Sequence, residues 1–215
     1  MRRRNVIKQL LGWSLLPAWL SLRPAWGDDK AKAGLVRFHG PVFINGRPAR
    51  PGQSIQPGDT VSTGVDAEAV YVVGQDAYLL RERSSVTLTG DKLRYGLRIL
   101  TGKLLSVFGK GEKQIETPTA TIGIRGTGCY IEADAKGVYF CLCYGEAEVR
   151  PLRQAEVIER IQTEHHDRPI FLPTSGKQAL LAARVRNHRD AELVLLESLV
   201  GRIPPFVGQP GLADY

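Results

Sequence analysis

The sequence predicts a mainly β fold, in which many short strands form a sandwich or a solenoid-like domain. Between residues 34 and 150, short apolar runs alternate with turn signals, and the apolar residues do not follow the spacing of an amphipathic helix. The chain contains 23 glycines and 13 prolines, which suits a fold with frequent turns. These observations favour short strands over helices in this region.

Two turn signals punctuate the first strands. The apolar run at 42–44 leads into Asn45-Gly46, a strong β-hairpin signal. Pro57-Gly58-Asp59 is a second turn, because proline presets φ, glycine adopts a positive φ and aspartate can accept a hydrogen bond from a following N–H. Further strands are predicted at 35–38, 69–73, 77–80, 86–88, 93–100, 104–108 and 114–117.

The end of the chain has a different pattern. Two more strands are predicted at 156–158 and 169–172. A short helix is predicted at about 190–200, because Leu193, Leu196 and Val200 fall on one face. Asn187 or Asp190 can cap its start, and a glycine followed by two prolines ends it. We expect this helix to dock on the β domain and the last eight residues to form a loose tail.

The first 27 residues have the features of an export signal. A basic start precedes an uncharged apolar stretch of about 13 residues, shorter than the roughly 20 that a membrane-spanning helix needs. Arg3-Arg4-Asn5-Val6-Ile7-Lys8 resembles the twin-arginine export motif, whereas an ordinary secretory signal is the alternative. We expect cleavage near Gly27 and a periplasmic protein, tethered to the membrane only if the signal stays uncleaved.

The signal also accounts for most of the net charge. Five of the 29 basic residues and none of the 22 acidic residues lie within residues 1–27. The remaining chain therefore has a net charge of only +2, against +7 for the whole sequence. This balance argues against nucleic-acid binding, which needs a strongly basic face.

Several motifs in a fixed order resemble the FecR domain family. They are the turn motif Pro57-Gly58-Asp59, the run 115–120 around Thr117-Pro118, the run 124–127 that contains Arg125-Gly126-Thr127, and the closing run 144–149 that begins with Tyr144-Gly145. The resemblance covers about residues 34–150. It divides the chain into a twin-arginine signal at 1–27, a FecR-like β domain at 28–150 and a C-terminal extension at 151–215.

The resemblance implies a role in signalling across the bacterial envelope. FecR regulators of iron uptake carry a cytoplasmic segment that binds a sigma factor, but only about nine residues precede the apolar stretch here. We therefore expect a stand-alone periplasmic module without the anti-sigma segment. Its expected partner is a periplasmic or envelope protein, or a cell-wall glycan.

Arg125 is the candidate binding residue of the FecR-like domain. Gly123 and Gly126 flank it, and we expect both glycines to form a sharp turn that presents the guanidinium group. One interpretation is that Arg125 binds an anionic partner or a sugar acid. The alternative is that it bonds turn carbonyls or a neighbouring carboxylate.

Three cysteines fall in a hairpin that is predicted around the turn at 134–137. Matching the apolar faces of its two strands places Cys129 in the core, whereas Cys141 and Cys143 point together to the other face. Three interpretations remain open. The thiols are simply buried, Cys129 forms a disulfide with one of the pair, or the pair contributes to a metal site.

The metal interpretation adds His165 and His166 to Cys141 and Cys143, with His188 as a further candidate. Two thiolates with one or two imidazoles are suitable ligands for zinc or another transition metal. Two observations oppose it. The cysteine spacing is Cys-x-Cys, and adjacent histidines in a strand point to opposite faces.

No catalytic motif is recognisable in the sequence. The nucleophile elbow Gly-x-Ser-x-Gly, the zinc-protease motif and a phosphate-binding loop are all missing from it. His165-His166-Asp167 is a candidate acid–base cluster, but three adjacent residues rarely converge on one substrate. We therefore expect a non-enzymatic binding module, with a metal-holding protein as the alternative.

Overall fold

The computed structural model describes residues 33–91 and 95–209. The predicted signal at 1–27 and the end of the predicted tail lie outside these residues. None of the helices in the described ranges is long and apolar enough to cross a membrane.

The described part of the chain is mainly β, as predicted, with one short α-helix near its end. In chain order its elements are β1 (Gly34–His39), β2 (Val42–Ile44), β3 (Arg47–Pro48), β4 (Thr60–Thr63), β5 (Glu68–Val73), β6 (Asp76–Leu80), β7 (Ser85–Gly90), β8 (Tyr95–Val107), β9 (Glu112–Glu116), β10 (Ala120–Asp134), β11 (Gly137–Pro151), β12 (Glu159–Thr163), β13 (Ile170–Pro173), β14 (Leu181–Ala182) and α1 (Asp190–Leu199).

These strands form one continuous sheet that is organised around a long central hairpin. Strands β10 and β11 pair antiparallel along their full length, with Cys129 opposite Leu142. The main strand order is β14-β13-β11-β10-β9-β8-β7-β4-β2-β3, and β1, β5 and β6 branch from β8. Strands β12 and β13 both pair with β11, but at its two ends. The stretch of β11 between them is therefore available to the loop that joins β12 to β13.

The hairpin is buried on both faces, which creates two apolar cores. Phe140 and Leu142 of β11 pack with Cys129 in the larger core. Tyr139 and the other two cysteines face the second core, which Leu193 and Leu196 of α1 and the nearby Phe206 complete. The predicted docking of the helix on the β domain therefore explains why the second face of β11 is also apolar.

Several local predictions need correction. The strand predicted at 156–158 is shifted to Glu159–Thr163, because a short 3-10 helix at Leu152–Gln154 and a turn at 155–156 come first. Neither Asn187 nor Asp190 caps α1. The N-cap is Arg189, whose N–H donates to the Glu192 carboxylate at 2.9 Å.

The Pro57-Gly58-Asp59 motif lies in a turn, and Gly58 has a φ of 96°. Asp59 accepts a hydrogen bond at 2.8 Å from the preceding N–H of Gln56, not from a following one. Its other carboxylate oxygen accepts a hydrogen bond from Asn45 at 2.7 Å, so this turn is tied to the first hairpin.

Candidate metal centre

Four potential metal ligands converge beneath the start of α1. They are the thiols of Cys141 and Cys143 and the imidazoles of His166 and His188, whose ligand atoms all lie within 4.8 Å of one another. The Sγ atom of Cys141 is 3.5 Å from Nδ1 of His166, which is 3.0 Å from Nε2 of His188. The sequence contains only three cysteines and four histidines, so this cluster uses two of each.

Strand β11 positions the two thiols. Side chains two residues apart in an extended strand point to the same face, so Cys141 and Cys143 project together. Cys143 also donates its S–H to the carbonyl oxygen of Cys141 at 3.8 Å. The Cys-x-Cys spacing is unusual for a metal site in a loop, but on a strand it places both thiols on the same face.

The loop between β12 and β13 supplies the first imidazole. It crosses the free stretch of β11, where the N–H of His166 donates to the carbonyl of Cys143 at 3.0 Å. His166 has a φ of 55°, in the left-handed region that few non-glycine residues adopt. The expectation that His165 and His166 point to opposite faces is wrong, because they lie in a bend and not in a strand. Their ring centroids are only 4.6 Å apart.

The segment before α1 supplies the second imidazole. The ring of His188 stacks on Tyr130 with a centroid separation of 4.6 Å. Its Nδ1 atom lies 2.7 Å from the carbonyl oxygen of Arg186. A carbonyl oxygen can only accept a hydrogen bond, so Nδ1 carries a proton and Nε2 is the nitrogen that faces the cluster.

Asp190, the first residue of α1, orients the other two histidines. One of its carboxylate oxygens is 3.0 Å from Nε2 of His166, and the second oxygen is 2.8 Å from Nε2 of His165. The carboxylate therefore holds the proton of His166 on Nε2 and leaves Nδ1 as the ligand atom. Carboxylate–histidine pairs of this kind are typical partners of metal-bound imidazoles. His165 is outside the ligand set and contacts Asp190 instead.

These hydrogen bonds create an electrostatic conflict. They direct the lone pairs of His166 Nδ1 and His188 Nε2 toward each other across 3.0 Å. Two acceptor nitrogens at this distance repel unless a positive species lies between them. That species is either a proton on one ring or a metal ion shared with the thiols.

The thiols beside these nitrogens also favour a positive species. The hydrogen bond with Cys143, together with the contacts with His166 and His188, lowers the pKa of Cys141 to about 4 against the opposing effect of burial. Burial raises the pKa of Cys143 well above its usual value, and its contacts with Cys141 add to that rise. The lowered pKa favours the thiolate form of Cys141, which is the form that binds metals.

The ligand atoms are closed to solvent. Cys141 and Cys143 are 0% exposed, and His166 and His188 are 3% and 4% exposed. A catalytic metal keeps an open coordination position for water or substrate, whereas a structural metal has four protein ligands. The burial of all four residues matches the second arrangement.

Cys129 does not belong to the cluster. It lies in the larger core on the opposite face of the sheet, and all three cysteines are free. The alternative disulfide between Cys129 and one of the pair is therefore wrong. Burial raises the pKa of Cys129 to about 12, which leaves it an unreactive thiol.

Arg125 is not one of the clustered ligands; it lies on β10 opposite Glu146 of β11. Its side chain is 67% exposed and forms an ion pair with Glu112 of the neighbouring strand. The prediction of a sharp turn around it needs correction. Gly123 lies in regular strand structure, opposite Glu148 and Gln114, and only Gly126 bends the backbone, with a φ of 54° at an irregularity of β10.

Arg125 also lines the edge of an open groove of about 930 Å³ on the sheet surface. The metal ligands do not line this groove. Charged side chains from β9 to β12 surround it, and they include Glu112, Glu146, Glu148 and Arg160. Arg160 pairs with Glu148 at 3.3 Å, so much of this charge is compensated within the sheet.

Two residues of the centre had weaker support from the sequence. The sequence names His188 only as a further candidate and Asp190 only as a helix cap. The signal that marks both is their adjacency to the helix start, from which each reaches His166. Asp167, by contrast, turns away and accepts hydrogen bonds from Thr163 and the N–H of Glu164.

Comparisons with known proteins identify no family for this chain. No protein-family model matches the chain, and no curated protein matches it either. Two crystal structures of a candidate anti-sigma factor from Parabacteroides distasonis ATCC 8503 are similar, with TM-scores of 0.49 and 0.48 and sequence identities of 12% and 13%. Each alignment covers 58% of this chain and 59% of the other chain, less than two thirds of its length. The FecR resemblance therefore stays a prediction from the sequence motifs.

Proposed function

We propose that this chain is an exported, non-enzymatic binding module that holds one structural transition-metal ion. Its ligands are Cys141, Cys143, His166 and His188. The observation that carries the proposal is the convergence of two buried thiols and two buried imidazoles, whose ligand atoms all lie within 4.8 Å of one another. One bound cation can be coordinated by all four groups.

Zinc is the ion that fits this ligand set best. Zn²⁺ binds two thiolates and two imidazoles tetrahedrally, with Zn–S near 2.3 Å and Zn–N near 2.0 Å, so neighbouring ligand atoms lie roughly 3.3–3.8 Å apart. The separations of 3.0 and 3.5 Å between His166 Nδ1 and its two neighbours are close to these values, and all four ligand atoms lie within 4.8 Å of one another. Side-chain movements that adjust these separations would admit the ion.

The same geometry argues against catalysis. Cys141, His166 and Asp190 form a thiol–imidazole–carboxylate series that resembles the arrangement in cysteine hydrolases. A nucleophile must reach a substrate, however, and the thiol of Cys141 is fully buried. A structural role for the metal is consistent with this burial.

Metal analysis of the purified protein tests the proposal. The full chain is produced in cells, purified without chelators and analysed by mass spectrometry for zinc, copper, iron, cobalt and nickel. We expect about one zinc ion per chain. The proposal fails if the protein carries no stoichiometric metal and binds none when zinc is added.

A second role as a partner-binding module is favoured by the groove beside Arg125. The groove is on a different part of the sheet from the metal centre, so the two roles are compatible. Its exposed charged and amide groups are suited to a cell-wall glycan or to the surface of an envelope protein. Export by the twin-arginine route would place the domain beside both.

Replacing Arg125 by alanine tests this second role. Because Arg125 is exposed, we expect the free energy of unfolding to change by less than about 0.5 kcal/mol. Binding to soluble cell-wall fragments, measured by isothermal titration calorimetry, should fall at least tenfold. Arg37→Ala is the matched control, since Arg37 is also an exposed arginine paired across strands, with Glu68 at 3.7 Å, and neither residue lines the groove. Equal binding by wild type and Arg125→Ala would remove Arg125 from the site.

A further inference from the structure

The C-terminal segment covers the metal ligands, and this cover has a consequence for metal exchange. Two ligands lie on β11, one in the loop after β12, and His188 in the segment that leads into α1. We propose that α1 and the segment before it form a gate, so that the ion enters or leaves only when this segment lifts from the sheet. The inference rests on the proposed metal centre and adds how its occupancy is controlled.

The gate carries both a ligand and its supporting carboxylate. His188 binds the ion directly, and Asp190 orients His166, so lifting this segment removes two of the groups that hold the metal. The thiols and His166 stay with the sheet. Loss of one ligand opens a coordination position to water or a chelator. In the closed state, neither water nor a chelator can reach the ion.

Polar contacts outside the centre hold the gate closed. Arg81, the residue after β6, donates to both carboxylate oxygens of Glu192 at 2.7 and 2.9 Å, and to the carbonyl of Asn187 at 3.1 Å. These bonds fasten the chain on both sides of His188. Farther along α1, Tyr144 of β11 donates to Glu197, which also accepts from Arg202 at 2.5 Å.

Apolar contacts complete the cover. Leu193, Leu196 and Phe206 pack on the face of the sheet formed by β5, β6, β8 and β11. The two leucines are fully buried, so opening of the gate must expose apolar surface. We therefore expect opening to be a rare local unfolding event and not a rapid fluctuation.

The rate of metal release distinguishes a gated site from an open one. If the gate must open first, the rate reaches a limit that does not depend on the concentration of chelator. If a chelator can reach the ion directly, the rate rises in proportion to chelator concentration. The zinc-loaded full chain is mixed with increasing EDTA, and the zinc remaining on the protein is measured over time.

Weakening the gate without touching a ligand is the second arm. Glu192→Gln removes the ion pair with Arg81, and we expect the limiting release rate to rise about tenfold. Glu116→Gln is the matched control, because it removes the ion pair between β9 and Arg98 of β8, which is not among the polar contacts that hold the gate. It should release zinc at the wild-type rate.

The outcomes separate the two proposals. Release that grows linearly with EDTA in the wild type and is unchanged in Glu192→Gln would overturn the gate and leave the metal centre in place. Failure of the wild type to bind zinc at all would overturn the centre and, with it, the gate. The wild-type chelator dependence decides the question even if a variant folds poorly.

Discussion

Cys143→Ser is expected to abolish metal binding and to lower the melting temperature by about 10 °C. A ligand that binds only the folded state stabilises it by about 4 kcal/mol when its free concentration is a thousand times Kd. In a chain of this size, 1 kcal/mol corresponds to roughly 2–4 °C. Calorimetry of the zinc-loaded wild type and of the variant, together with metal analysis, measures both effects.

Cys129→Ser is the matched control for this substitution. Cys129 is as fully buried as Cys143 and belongs to the same hairpin, but it faces the opposite core. It should lose the stability that any buried cysteine loses on conversion to serine, about 1–3 kcal/mol, and still bind one zinc ion. Only the Cys129→Ser variant should lose stability when a chelator is added, because only this variant still holds zinc. If both respond alike, the cluster does not hold the metal.

Asp190→Asn is expected to weaken zinc binding by about 10- to 100-fold without removing a ligand. The carboxylate accepts hydrogen bonds from both His165 and His166. An amide has only one acceptor oxygen, so its NH₂ group would face the N–H of the second imidazole and could not accept from it. Loss of such a partner typically reduces metal affinity by this factor. Competition with a chromophoric chelator measures the change.

A positioning role for Asp190 has a spectroscopic signature. The cobalt-substituted variant should keep the visible absorption of a tetrahedral site with two thiolates, because the four ligands remain. Asp167→Asn is the control, since this neighbouring carboxylate bonds Thr163 and the N–H of Glu164 instead. Unchanged affinity in Asp190→Asn would show that the carboxylate does not orient His166 for binding.

Local sequence patterns predict the fold class and name all four clustered residues as candidates, but they place only the two thiols together. Alternation along residues 138–144 separated the two faces of β11, and this placed Cys129 away from Cys141 and Cys143. The α-helix was predicted from its apolar spacing and the glycine that follows it. In each case the information lies within a few neighbouring residues.

The rest of the centre depends on long-range packing. His166 faces the thiols because β12 and β13 pair with the two ends of β11 and because His166 adopts a left-handed backbone. Neither property can be deduced from the residues around it. Asp190 reaches the imidazoles only because α1 docks on the second face of the sheet, which the interaction between Arg81 and Glu192 helps to fix.

X-ray absorption spectroscopy at the zinc edge tests the metal centre most directly. For the full chain loaded with one equivalent of zinc, the account predicts two sulfur ligands at about 2.3 Å and two nitrogen ligands at about 2.0 Å. A shell of oxygen and nitrogen alone, without sulfur, would contradict the account, because it would place the ion away from Cys141 and Cys143.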